Sequence, residues 1–411
     1  MRKVLIKLSV VIVVVTALPF VARANGYKVL CVKGAKATAM GEAFTVQADD
    51  PSAIAFNPAG ISQLRGNQLN VHATVCNAYM DHTAPGGAKS SNDDTWQTVP
   101  SVFITSDFGS ENAAWGLGLS FPNGLSSEWS KDSFARYVAT YSDLKVGELT
   151  PAFGVKINDS LRLGAGLSYF YSEAVLERMV DAGVLAGGLP NGADLLSRLE
   201  GDGSAWGGNC GIIYELNDKH GFALTYKLPY SIDYDGDYKL AGSKLDAEAT
   251  IEFPDVVVVG YAFRPNDKLV VEFNADWTHW GDVGDIEIAI AGQASTPQAQ
   301  DMRDTFAYKL GAQYSISDSL DIRCGYIYNE NATDEATWRP SLPDTDIHFL
   351  TAGFGWHGDN ITIDTALQLV FYNERTIDNN VDLNEFVSLS SIDGTYETWA
   401  PCVSVAATYM F

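Results

Sequence analysis

The sequence predicts an all-β fold, a 14-stranded antiparallel transmembrane β-barrel with an N-terminal hatch (plug) inside the lumen. Three observations carry that expectation. Long segments alternate apolar and polar residues and meet at tiny polar turns. The connections between them alternate short and long. One alternating segment, "VSVAATYMF", runs to the last residue, Phe411. Termini usually fray, so a strand that ends on its final atom needs a partner, and the first strand of a closed barrel supplies one.

In chain order, Arg2, Lys3 and Lys7 precede the apolar run "LSVVIVVVTALPFVA", which ends at Ala22-Arg23-Ala24. A basic start, an apolar stretch and small residues at the cut describe a signal peptide over 1–24. The run is shorter than the roughly 20 residues a spanning helix needs. Residues 25–66 are rich in small side chains and turn at Asp49-Asp50-Pro51 and Asn57-Pro58-Ala59-Gly60. A wide barrel needs its lumen filled, so this segment is expected as the hatch rather than as an exposed arm.

Strands are expected at 67–82, 95–108, 113–122, 143–157, 160–173, 204–216, 219–235, 247–263, 267–280, 304–316, 319–331, 346–357, 360–375 and 397–411. They make 67–411 the barrel. Turns at Asn158-Asp159, Asn217-Asp218, Asn266-Asp267, Ser317-Asp318 and Asp359-Asn360 suit tight hairpins. Alternation is strict: Leu269, Val271, Phe273, Ala275 and Trp277 oppose Val270, Glu272, Asn274 and Asp276. A soluble sandwich also alternates, but strands of about 10 residues exceed its usual ~5–6. Short turns on one rim and long loops on the other are the outer-membrane pattern.

Charge narrows the partners. The chain carries a formal −24, and losing the four basic residues of 1–24 leaves 23 basic against 51 acidic. Phosphate recognition needs the opposite balance, so nucleic acid is excluded. Yet 19 Phe, 19 Tyr and 9 Trp make a greasy chain for one so acidic. The six His are scattered and the five Cys form no C-x-x-C pair, so no metal site, cofactor or catalytic residue is expected. All five Cys staying thiols is one reading. The other is a bridge between Cys76 and Cys402, which share the inward phase on the first and last strands, if register permits.

The ordered segments "GEAFTVQADDPSAIAFNPAGIS", "GLGLSFPNGLSSEW", "PAFGVKINDSLRLGAGLSY", "FPDVVVVGYAFRPNDKLVVEFNADWTHW" and "SLPDTDIHFLTAGFGW" resemble the long-chain fatty-acid transporter family of Gram-negative outer membranes, the FadL type. The resemblance spans 25–411. It implies residence in the outer membrane and passive uptake of fatty acids or other hydrophobic compounds. The ligand would pass from an outer-loop groove to a lumen pocket, then leave laterally at a kinked third strand. The partners it implies are hydrophobic small molecules, lipid and lipopolysaccharide, and the barrel-assembly machinery that reads a terminal aromatic; the barrel is expected to be a monomer.

Site residues follow. Apolar residues of 174–203 recur at helical spacing, so two short amphipathic helices broken at Gly187-Gly188-Leu189-Pro190 are expected. Their faces, Leu176, Met179, Val180, Val184, Leu185, Leu189, Leu195, Leu196 and Leu199, would line the groove. Phe121-Pro122-Asn123-Gly124 should break pairing on the third strand, because Pro removes a ladder donor, and so mark the lateral exit. Asn57-Pro58-Ala59 matches the family's hatch motif. Arg178 and Arg303 stand where the resemblance places basic residues near a bound head group, 303 by charge only. The alternatives are a structural or adhesin barrel with a closed lumen and a general porin for small polar solutes.

Overall fold

The computed structural model describes residues 26–93, 95–187, 193–292, 296–379 and 391–411; the expected signal peptide lies outside them. Fourteen strands wind into one closed antiparallel wall. The first six are β1 Asn67–Cys76, β2 Gln97–Ser106, β3 Ala113–Glu128, β4 Tyr141–Lys156, β5 Leu161–Asp181 and β6 Asp194–Asn217. Strand β7 runs His220–Lys227 and resumes at Tyr230–Leu240, and β8 runs Ser243–Phe253 and Val256–Asn266, each interrupted beside a proline. The rest are β9 Leu269–Thr278, β10 Thr305–Ser317, β11 Leu320–Asn329, β12 Ile347–His357, β13 Ile361–Tyr372 and β14 Gly394–Met410. Closure is made by β1 against β14, from Gln68↔Met410 to Cys76↔Cys402. The terminal strand is therefore pinned as its pattern required.

The alternation is turned inside out relative to a water-soluble protein. On β1, Asn70, His72 and Thr74 are buried while Val71 and Val75 are exposed. On β9, Glu272, Asn274 and Asp276 are buried while Phe273 is exposed. Polar groups face a packed lumen and apolar ones face outward, which lipid rewards and water would not. No described helix is long and apolar enough to cross a membrane.

Two expectations change. The described residues of 174–203 do not form two helices: β5 and β6 continue outward paired with each other, from Leu161↔Tyr214 to Asp181↔Asp194. Among the described residues of this segment only Ala182–Leu185 is helical, with the Asp181 carboxylate accepting from the Gly183 and Val184 N–H groups. Extending an existing ladder costs no nucleation, whereas a short helix must nucleate alone. Second, β3 does not stop at 122 but runs to Glu128, its register to β4 slipping between Ser120 and Asn123.

Residues 26–66 pack inside the wall through short helices at Ala35–Ala39 and Ala53–Phe56 and a 3₁₀ turn at Pro58–Gln63. The fit is backbone to backbone. A Cβ on Gly164 of β5 would fall 2.2 Å from Ala59 N, and one on Gly325 of β11 would fall 2.2 Å from Gly41 N. Polar pairs add to this: Lys309 of β10 reaches Glu42 at 3.1 Å and Asp276 at 2.6 Å, and Glu272 accepts the Val46 and Gln47 N–H groups.

Candidate functional site

The Asn57-Pro58-Ala59 corner lies where the N-terminal segment meets β5 and β6. Asn57 Nδ2 donates to Thr45 O at 2.9 Å and to Ile212 O at 3.3 Å, while its Oδ1 accepts from Ala59 N. Proline at the first position of the 3₁₀ turn supplies a preset φ and needs no donor. The corner is a rigid joint, wholly buried.

At Phe121-Pro122-Asn123-Gly124 the wall parts. The β2–β3 ladder reaches only Val102↔Leu119. Beyond it, Gln97–Ser101 pair with β1 alone and Asn123–Glu128 with β4 alone. The vacant edge of β3 is taken by the N-terminal segment instead. Val29 N donates to Pro122 O and Gly124 N to Tyr27 O, both at 2.9 Å, and Lys28 bridges Asn123. Val29, Val32, Val99 and Phe121 pack together in the opening.

Inside this opening lies an apolar cavity of about 140 Å³. Tyr27, Leu125, Leu144, Ile251, Ile286 and Leu342 supply much of its lining, and Leu176 and Leu199 reach it from the β5–β6 hairpin. A row of rings leads away from it. Tyr27 meets Phe253 and Trp280 at 6.1 Å, Phe253 stacks on Tyr230 at 4.7 Å, and Tyr230 on Phe170 at 3.8 Å. A smaller cavity of about 80 Å³ there touches Pro122, Asn123, Tyr230 and Trp280 and is rimmed by Lys28, Lys33 and Lys309. Burial works to raise the Glu42 carboxyl beside it. Lys309, Lys33 and the Cys31 N–H outweigh that and hold it below the ordinary carboxylate range.

The two arginines expected near a head group are placed unequally. Arg303 is exposed and spent on Asn331, donating Nε to its carbonyl at 3.2 Å and a further N–H to its side chain. Arg178 lies close enough to Arg339 to depress it; burial and that neighbour together draw the Arg339 guanidinium below its usual value. Arg339 itself lines the larger cavity, and its buried Nε has no hydrogen-bond partner among the described residues. Nothing in "TWRPS" marks it as more than a loop arginine. Of the expected groove residues, Leu176 and Leu199 line the cavity. Met179, Val180, Val184 and Leu195 are half-buried on the hairpin and its tip, Leu185 and Leu196 are exposed, and Leu189 lies outside the described residues. Two histidines have polar partners: His279, just past β9, meets Asp255, and His348 of β12 meets the Tyr326 hydroxyl.

Residues 14–411 match the family model described as outer membrane protein transport protein (OMPP1/FadL/TodX). The long-chain fatty acid transport protein of Escherichia coli O6:H1 is 23% identical over 348 residues, 74% of this chain and 77% of that one. The 47 kDa outer membrane protein of Pasteurella multocida is 24% identical over 78% of this chain and 81% of its own. Among solved structures, a Pseudomonas aeruginosa FadL homologue superposes with a TM-score of 0.82 at 20% identity, over 94% of this chain and 100% of that one. The Pseudomonas putida toluene transporter TodX superposes with 0.71 at 19% identity, over 95% and 99%. At these identities the structural likeness concerns the fold.

Proposed function

The chain belongs to the OMPP1/FadL/TodX family of outer membrane transport proteins, and from that premise we propose that it carries long-chain fatty acids or other hydrophobic compounds passively into the cell. The observation that carries the reading is an apolar cavity joined by aromatic rings to the place where β2 and β3 part. A ligand meets the outward hairpin of β5 and β6, enters the cavity, and leaves sideways past Phe121 and Pro122 into the bilayer. Residues 25–66 act as the hatch, and the Tyr27–Val29 stretch is the part that must yield.

Physical chemistry supplies the drive. Each buried methylene gains about 0.8 kcal/mol, so ~14 of them favour a greasy site by about 11 kcal/mol. No external energy is needed if successive sites run downhill. The cavity of about 140 Å³ suits one aromatic ring, since an apolar cavity of ~150 Å³ accepts benzene. An acyl chain must extend along the ring row toward the exit. A carboxylate in such surroundings needs a cation, and Arg339, with Arg178 behind it, is placed to provide one. On this reading the protein works as a monomer, facing lipid and lipopolysaccharide, and Phe411 presents the terminal aromatic to the assembly machinery.

Uptake of oleate and of toluene by cells lacking their own transporter tests the proposal. Expression should restore entry of at least one. The Arg339→Ala variant should slow oleate about tenfold, a loss of ~1.4 kcal/mol, and leave toluene unchanged. Liposomes that swell with sugars as fast as with a porin, and no hydrophobic uptake, would sink it.

A further inference from the structure

The joint between the two ends of the barrel holds a pair of thiols that transport does not use. Cys76 of β1 and Cys402 of β14 are Cα partners in the closing ladder. The main-chain bonds on either side identify the kind of pair. Asn77 N donates to Pro401 O, and at the other end Phe411 N donates to Asn67 O. Opposed residues in an antiparallel ladder alternate between hydrogen-bonded and non-hydrogen-bonded pairs. Odd-numbered residues of β1 therefore sit in hydrogen-bonded pairs, and Cys76 sits in the other kind. Cα atoms there approach to about 4.5 Å, within the ~4.4–6.8 Å that a disulfide spans.

Two more non-hydrogen-bonded pairs on the same lumen-facing side have side chains that touch. Thr74 Oγ1 lies 2.6 Å from Ser404 Oγ, and Asn70 Nδ2 donates to Thr408 Oγ1 at 2.8 Å. The two thiols, not bridged in this structure, are likewise within hydrogen-bond reach of each other. We propose that Cys76 and Cys402 form a disulfide in the exported protein, a covalent clasp from the first strand to the last.

The exchange balances without a free oxidant. The Cys76 thiolate attacks an external disulfide, forming a mixed disulfide and releasing one thiol. The Cys402 thiolate then displaces the second, so one disulfide is consumed, one is made, and two thiols leave carrying the protons the cysteines gave up. Exported chains meet such disulfide carriers. In the folded barrel both sulfurs border a cavity of about 200 Å³ beside Gln97 and Ser126, roomy enough for a small disulfide. Cys210 and Cys324 face outward on β6 and β11. Cys31 is buried in the N-terminal segment beside the pair, yet no strand register opposes it to either.

Protein extracted from outer membranes is denatured, its thiols are alkylated without reductant, and peptides are mapped. Three of the five cysteines should label, and one linked species should contain Cys76 and Cys402. The Cys402→Ser and Cys76→Ser variants should each label four, with or without reductant. Counting in denatured protein keeps the assay valid for a variant that inserts poorly. Five labelled cysteines in the wild type, a link to Cys31, or a disulfide surviving in Cys402→Ser overturns the proposal.

Discussion

One joint of the wall closes strands from opposite ends of the chain, and another, on the far side of the fully paired β1–β2 joint, fails to close strands that follow one another. β1 and β14 pair at nine positions, whereas β2 and β3, separated only by 107–112, pair at five. Closeness in sequence brings two edges together but does not zip them. Zipping needs donors on both edges and an unbroken pleat, and β3 loses both where Pro122 lacks an N–H and the strand bulges between Ser120 and Asn123. Its freed edge would be a liability if left bare. Here Tyr27–Val29 cover it.

The sharpest way to break the contrast is to weld the open joint. Lys28 and Asn123 are bridge partners, and the bonds on either side make them a non-hydrogen-bonded pair. The double variant Lys28→Cys/Asn123→Cys should cross-link on oxidation and lose uptake, and reductant should restore it. Equal transport in both states would place the exit elsewhere.

Next in size is Lys309→Met, which strips the shared cation from Glu42 and Asp276 where all three are buried. Breaking a buried pair costs about 3–5 kcal/mol, to be read as a lower unfolding temperature in detergent. The loss should fall on the N-terminal segment and leave exchange protection at the β1–β14 joint intact.

The outer loop tests the contrast through pH. Ser127 of β3 donates to Pro340 O at 3.1 Å, so the loop steadies the upper end of the open joint. Nearby Asp344 is pushed from 3.8 up to about 6, burial outweighing the Ala332 and Thr333 N–H groups it accepts. A raised carboxyl keeps its proton longer in the fold, so stability is greatest below pH ~4 and declines as pH rises through about 6. The loss amounts to roughly 2–3 kcal/mol. Amide exchange at Ser127 and Glu128 should quicken from pH 4 to 7, after correction for intrinsic rates, while Thr74 stays protected. Asp344→Asn should flatten that profile.

The smallest effect is expected at the closed joint. Asn70→Ala removes one buried cross-strand bond to Thr408 and should cost about 1 kcal/mol, a shift of a few degrees, because the main-chain pairs remain. Collapse of the barrel would mean that the side chains, not the ladder, hold the seam.

The strands were legible because lipid outside and packing inside impose a period of two that no loop imitates, as Glu272 beside Phe273 shows. The third-strand break was legible from Pro122 alone, since a missing donor is a local fact. What covers the break was not: Tyr27 and Gly124 meet only because the barrel closes. The hairpin at 174–203 misled because Leu176, Met179 and Val180 recur at spacings that a helix and an extended ladder both accommodate. Arg339 was invisible for a third reason. Its significance is a buried Nε with no partner among the described residues, and partners are set by the fold.

The flush contacts at Gly164 and Gly325 bear on how much this wall can vary. A single methyl group at either site lands on main chain, which has no rotamer to swing aside. Random replacement at those two positions, scored for folded barrels, should return glycine and little else, while outward valines such as Val403 tolerate any oily substitute. The inner surface behaves like a casting taken from the polypeptide it encloses.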